Sequence, residues 1–153
     1  MTLKVLFVCL GNICRSPIAE AVFQKMVDEA GLSSQIQVDS AGTGSWHVGE
    51  RPHYGTRQLF IKHGIAYNGR ARQITQTDMT TADTYIIAMD QGNVTDLQLR
   101  FGQHPHLHRL LDFAKKANER NVPDPYYTGK FDEVYELVMD GCRGLLATIR
   151  EQL

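Results

Sequence analysis

The sequence predicts an α/β domain, with a central parallel sheet of about four strands and helices on both faces. Three observations carry this reading. The apolar runs Leu3–Val8 and Thr84–Met89 are nearly continuous, as in strands buried on both sides. Segments of helical periodicity alternate with such runs, and that alternation implies parallel strands joined by helical crossovers. The chain of 153 residues shows no repeats, low-complexity tracts or linkers, so residues 1–153 read as a single domain with a sizeable core.

Taken in order, Leu3 to Val8 is the first strand, and Cys9 marks its end. Gly11 and Asn12 tolerate positive φ, so the backbone is able to curl there. Ser16 is the expected N-cap of the first helix and Pro17 its first helical residue, with Glu20 in the first turn. Ile18, Ala19, Val22, Phe23, Met26 and Val27 recur at helical spacing until Gly31. Ile36 to Ser40 is a second strand, followed by a glycine-rich loop from Ala41 to Gly49 that holds Trp46. Pro52 opens a second helix, and Leu59, Phe60 and Gly64 mark its apolar face and end. After an irregular stretch from Ile65 to Gln73, Thr77 is the expected N-cap of a short helix. Thr84–Met89 is the third strand, Asp90–Phe101 a helix, and His106–Leu111 a fourth strand. Residues 114–125 form a polar connection, and Phe131–Leu153 a long amphipathic helix.

The chemistry concentrates between the first strand and the first helix, in Cys9-Leu10-Gly11-Asn12-Ile13-Cys14-Arg15-Ser16. A loop curled ahead of a helix N-terminus turns several backbone N–H groups toward one point, which is an anion site. Arg15 adds a planar fork that matches two phosphate oxygens. The same N–H groups, the helix dipole and Arg15 all favour a thiolate on Cys9, and the Ser16 hydroxyl is a further donor. A thiolate on the floor of a phosphate cradle is a nucleophile aimed at phosphorus. In open parallel sheets, ligands bind beyond the carboxyl ends of the strands, which is where Cys9 falls.

The run Cys9 to Pro17 resembles the signature loop of the low-molecular-weight protein tyrosine phosphatases. Asp124-Pro125-Tyr126-Tyr127 resembles the acid loop of the same family, and the two motifs bracket nearly the whole chain. The resemblance implies catalytic roles for Cys9, Arg15 and Asp124, and a phosphate-binding loop of Leu10, Gly11, Asn12, Ile13, Cys14 and Ser16. It also implies that Ser40 supports Asn12, that Trp46, Tyr126 and Tyr127 form the substrate rim, and that Cys14 traps oxidised Cys9 as a disulfide. Flanking prolines aim Asp124. A carboxyl beside a phosphate dianion and aromatic rings is expected to stay protonated as a general acid. The chain departs from many relatives in one place: Gly69 stands where they carry a histidine, which questions how Asn12 is supported.

No metal or cofactor is expected. Cys9 and Cys14 lack a second ligand pair, and His104, His106 and His108 have no companion cysteine or carboxylate and read as exposed. Cys142 is expected to be a buried structural thiol. Three cysteines in an odd, unpatterned set argue against a disulfide-stapled secreted domain, and the run Val5–Leu10 is too short for a signal or membrane segment, so the expected location is cytoplasmic. A formal net charge of −1 with no basic patch points away from nucleic acid. The expected partners are phosphotyrosine proteins, with inorganic phosphate as product, and the expected assembly is a monomer or weak dimer. Three alternatives stand beside this reading. A protein-arginine phosphatase shares the scaffold but resembles a version with threonine in place of Ile13. An arsenate reductase needs two further cysteines after residue 80, and none lies between Cys14 and Cys142. A non-catalytic phosphate-binding module would not need Asp124.

Overall fold

A computed structural model describes residues 2–153; Met1 of the 1–153 span lies outside the described residues. Strand β1 (Leu3–Cys9) pairs in parallel with β2 (Ile36–Gly42) on one side and β3 (Thr84–Ala88) on the other. A short β4 (Leu107–Arg109) completes a four-stranded, all-parallel sheet in the order β2-β1-β3-β4. Cys9 lies opposite Gly42, at the carboxyl end of a central strand.

The pleat sends alternate side chains of β1 to opposite faces, and both faces are covered, which is why the run is apolar throughout. Val5, Phe7 and Cys9 face a core built with α1 (Arg15–Glu29), α2 (Tyr54–Lys62) and α6 (Phe131–Arg150). Leu6 and Val8 face a smaller cluster with Met79 of α3 (Gln76–Thr80) and Leu97 of α4 (Gln91–Phe101). Phe7 and Phe23 meet edge to face at 5.5 Å. Fully burying one such side chain contributes about 1.5–3 kcal/mol, so the strand that carries Cys9 is firmly held.

Several boundaries differ from the sequence reading, each for a local reason. Helix α1 begins at Arg15 with Cys14 at its N-cap, not Ser16, because the Ser16 hydroxyl is committed to Cys9 and Asn12. Glu20 therefore sits in the second turn, where it binds Ser40 and Tyr67. Helix α3 is capped by Thr75, not Thr77, because Thr75 and Asp78 form a reciprocal capping box. Helix α2 starts after His53, whose ring accepts from the Gly55 N–H. Strand β4 is cut to three residues, since Leu110 and Leu111 turn into a 3-10 segment (Leu110–Phe113) and bury completely. That segment reaches α6 through glycines: a Cβ on Gly141 would lie 2.6 Å from Leu110, and one on Gly144 would overlap the Phe113 carbonyl. A short helix α5 (Pro125–Thr128) begins at the last residue of the polar connection. His106 stacks on Tyr85 at 4.6 Å and is exposed, whereas His104 and His108 are half-buried. Cys142 is fully buried, and burial pushes its thiol up.

Candidate active site

The loop between β1 and α1 takes the curl its residue types allow. Asn12 has φ 57°, in the left-handed region. Its backbone N–H thereby points at the Cys9 sulfur at 3.3 Å, and the Ser16 hydroxyl reaches the same atom at 3.0 Å. The Asn12 side chain locks the curl. Its Nδ2 donates to Ser16 Oγ at 2.8 Å and to Ser40 Oγ at 3.0 Å, and its Oδ1 accepts from the Arg72 N–H at 3.0 Å. Ser40 lies behind the loop, in contact with the Asn12 amide. Its hydroxyl donates to Glu20 at 2.6 Å, as does the Tyr67 hydroxyl. The Tyr67 side chain lies against Gly69, and a Cβ at that glycine would overlap the phenol. Behind Asn12 thus stand Ser40, Glu20 and Tyr67, with Gly69 against the Tyr67 phenol.

Arg15 is almost wholly buried, at 3% exposure. Its Nη1 donates to Asp90 at 2.6 Å and to the Val122 carbonyl at 2.9 Å, and its Nη2 lies 3.6 Å from an Asp124 oxygen. Burial alone would lower its pKa, but the charges of Cys9, Asp90 and Asp124 raise it above its ordinary value, so it stays a cation. Asp90 is at once this anchor and the N-cap of α4. Asp124 caps α5: its other oxygen accepts from the Tyr126 N–H at 3.0 Å, and Pro125 occupies the first helical position.

These groups converge on one cavity of about 220 Å³. Cys9, Leu10, Gly11, Ile13, Cys14 and Arg15 line its base, Asp124 its wall, and Trp46, Tyr126 and Tyr127 its mouth. Trp46 and Tyr127 are exposed, at 70% and 77%. Trp46 folds over Gly44, where any side chain would collide with the indole. Asn12, Ser16 and Ser40 stay behind the loop. Cys14 is a free, buried thiol, pushed up to about 12 by burial first and then by the charges of Cys9 and Asp124, against the pull of Arg15 and Thr56.

Sequence reasoning missed Asp90, His47, Glu20 and Tyr67 as site residues. His47 joins the cavity mouth and is held by Glu50 at 3.0 Å. Only Asp90 left a local signal, as a helix cap, and that signal says nothing of Arg15.

A family model described as "Low molecular weight phosphotyrosine protein phosphatase" matches residues 4–153. The low molecular weight protein-tyrosine-phosphatase YfkJ of Bacillus subtilis is 47% identical over 153 residues, covering 98% of this chain and 97% of that one. Its crystal structure superposes with a TM-score of 0.94 at 46% identity, covering 99% and 97% of the two chains. A Drosophila arginine phosphatase superposes with a TM-score of 0.87 at 34% identity, covering 96% and 98%.

Proposed function

Because the chain belongs to the low molecular weight phosphotyrosine protein phosphatase family, we propose that it hydrolyses phosphotyrosine in proteins through a phosphocysteine on Cys9. The observation that carries this reading is the convergence of Cys9, Arg15 and Asp124 on one cavity.

The substrate phosphate enters the loop, where backbone N–H groups and the Arg15 guanidinium bind its oxygens. Two donors, the Asn12 N–H and the Ser16 hydroxyl, favour negative charge on the Cys9 sulfur. The thiolate attacks phosphorus, the P–O bond to the tyrosine ring breaks, and Asp124 gives its proton to the departing phenolate. Water then attacks the phosphocysteine, Asp124 takes a proton from it, and the thiolate leaves with inorganic phosphate released. Arg15 and the loop amides stabilise the charge on the transferring group, and Arg15 is held ready by Asp90 before substrate arrives.

The cavity suits an aryl phosphate. Ile13 gives it an apolar wall, and Trp46 and Tyr127 flank the mouth, as a flat ring requires. A shorter phosphoserine would leave that aromatic surface wet. The same apolar wall disfavours the polar guanidinium of phosphoarginine, the alternative substrate.

The decisive experiment concerns Asp124. Asp124→Asn keeps size but removes the transferable proton, so its loss of rate should depend on the leaving group. General-acid help is worth about 10²–10⁴-fold, and it matters most for a phenol as weakly acidic as tyrosine. Single-turnover phosphoenzyme formation across aryl phosphates should show a steep dependence on leaving-group pKa in the variant and a shallow one in the wild type. Equal losses for all leaving groups would show that the acid lies elsewhere.

A further inference from the structure

We propose that Arg51, Arg57 and Arg70 form a docking site for an acidic segment of the protein substrate, beside the catalytic cavity and sharing no residue with it. The inference rests on the chain acting on phosphotyrosine proteins, and it names what such a substrate carries near its phosphotyrosine.

From Arg51 to Thr77 the sequence has no aspartate or glutamate, yet it holds Arg51, Arg57, Lys62, Arg70 and Arg72, in a chain whose net charge is −1. Two of these cations are neutralised by the fold. Lys62 pairs with Asp132, and Arg72 with Asp39 and Asp78. The other three meet no carboxylate within ion-pair range among the described residues. Glu50, the sequence neighbour of Arg51, is turned to His47 at 3.0 Å. All three arginines line one cavity of about 350 Å³. They are spread through residues 51–70, so the sequence alone shows no basic patch, and it is folding that gathers them. Three unneutralised guanidiniums around one cavity attract an anionic ligand.

Two of the guanidiniums are held in place by the loop that joins the two cavities. Arg57 Nε donates to the Pro52 carbonyl at 3.1 Å, and its guanidinium lies over the Tyr54 ring at 5.7 Å. Arg70 Nη1 donates to the Gly49 carbonyl at 3.4 Å. Each keeps further N–H groups in a fork that matches a carboxylate. The loop is itself tied to the catalytic site. The His53 N–H donates to the Ile13 carbonyl at 2.8 Å, and Gly49 and Glu50 bond the backbone of Ala71 at 2.8 and 2.9 Å. His47 lines the catalytic mouth and Arg51 the second cavity. The step from one to the other spans at most about 14 Å of chain, so an extended substrate crosses it in about four to five residues. The walls decide which anion fits. Phe60 and Ile65 line the same cavity, and Ile61 stands there exposed. An inorganic ion makes no use of that apolar surface. An acidic peptide with an aliphatic residue among its carboxylates matches both the charge and the wall.

Three phosphotyrosine peptides test the site. One carries a cluster of glutamates with a leucine about four to eight residues before the phosphotyrosine, one carries the same cluster after it, and one has glutamine for every glutamate. One of the two acidic placements should raise kcat/KM about tenfold through KM, since exposed charge pairs are each worth up to a few-fold and act in binding. In about 0.5 M salt the preference should shrink to within about twofold. In the triple variant Arg51→Gln/Arg57→Gln/Arg70→Gln it should vanish, while turnover of a small aryl phosphate stays unchanged. Arg51 and Arg70 are exposed, so the double variant Arg51→Gln/Arg70→Gln carries the test if the triple one fails to fold, and it should lose most of the preference. Equal kcat/KM for all three peptides in wild type, or a preference kept in the folded variants, would overturn the proposal. The second result would mean attraction by the molecule as a whole. An NMR titration of the full chain with the preferred acidic peptide, carrying plain tyrosine, needs no turnover. Its amide shifts should centre on residues 49–52 and 67–70 in wild type and disappear in the variant. Such binding by a protein that fails to hydrolyse phosphotyrosine would refute the proposed function and leave the docking site standing. Hydrolysis without such binding would refute the docking site alone.

Discussion

Asp90→Ala should cost about 3 kcal/mol of stability, and the structure divides that figure into two parts. Asp90 accepts from the Asn93 N–H at 2.8 Å as the cap of α4. Losing such a cap costs about 1 kcal/mol. Its other oxygen holds Arg15 at 2.6 Å, a charge-assisted bond worth about 1.5–3 kcal/mol. Arg15 is too buried to replace that partner with bulk water, and the Val122 carbonyl and Asp124 are already engaged. Asp90→Asn separates the parts: it keeps a cap oxygen but not the charge, and should cost about 2 kcal/mol. Urea melts of the two variants give these values. In thermal melts of a domain this size, about 3 kcal/mol should appear as a drop of roughly 6–12 °C in Tm. A guanidinium misplaced by about 1 Å should lower kcat/KM about 10²-fold. If Asp90→Ala costs under about 1 kcal/mol and kcat/KM stays within about threefold, Asp90 does not hold Arg15 in place.

Three further outcomes follow from the site. Cys9→Ser should abolish turnover while inorganic phosphate still binds in titration calorimetry; near wild-type turnover would refute the phosphocysteine route. Mild peroxide should inactivate the enzyme reversibly with one Cys9–Cys14 disulfide. Since the Cys14 thiol is pushed up to about 12, the trapping rate should climb about tenfold per pH unit through neutrality, and a pH-independent rate or a Cys9–Cys142 linkage in mass spectrometry would reject this. Ile13→Thr should shift competition between phosphotyrosine and phosphoarginine peptides toward phosphoarginine, and an unchanged ratio would mean that Ile13 does not set selectivity.

What the sequence made legible was what is local. The run from Leu3 to Arg15 carries its strand, its curl and its cation within one short stretch, and the two prolines around Asp124 mark a fixed turn. Long-range pairings left no such trace. The bond between Arg15 and Asp90 spans 75 residues, and the sequence placed Asp90 only at the start of a helix. Glu20 and Tyr67 are 47 residues apart; Glu20 read as a first-turn helix residue, and Tyr67 fell in an irregular stretch. Where candidate caps were degenerate, a local pairing decided: Thr75 precedes α3 and Thr77 lies within it, and only Thr75 has Asp78 three residues on to close a capping box. Ser16 had the right chemistry for a cap but was taken by the sulfur.

Arg15 reaches forward to residues 90, 122 and 124. During synthesis Cys9 leaves the ribosome first, and chains emerge at about 5–20 residues per second. Closing a loop that long has to wait for the later segments. The thiol is therefore made early, but the partners that fix Arg15 and bring Asp124 beside it arrive only when most of the chain has been translated. A chain cut short before residue 90 would carry the signature loop without the long-range partners that hold Arg15.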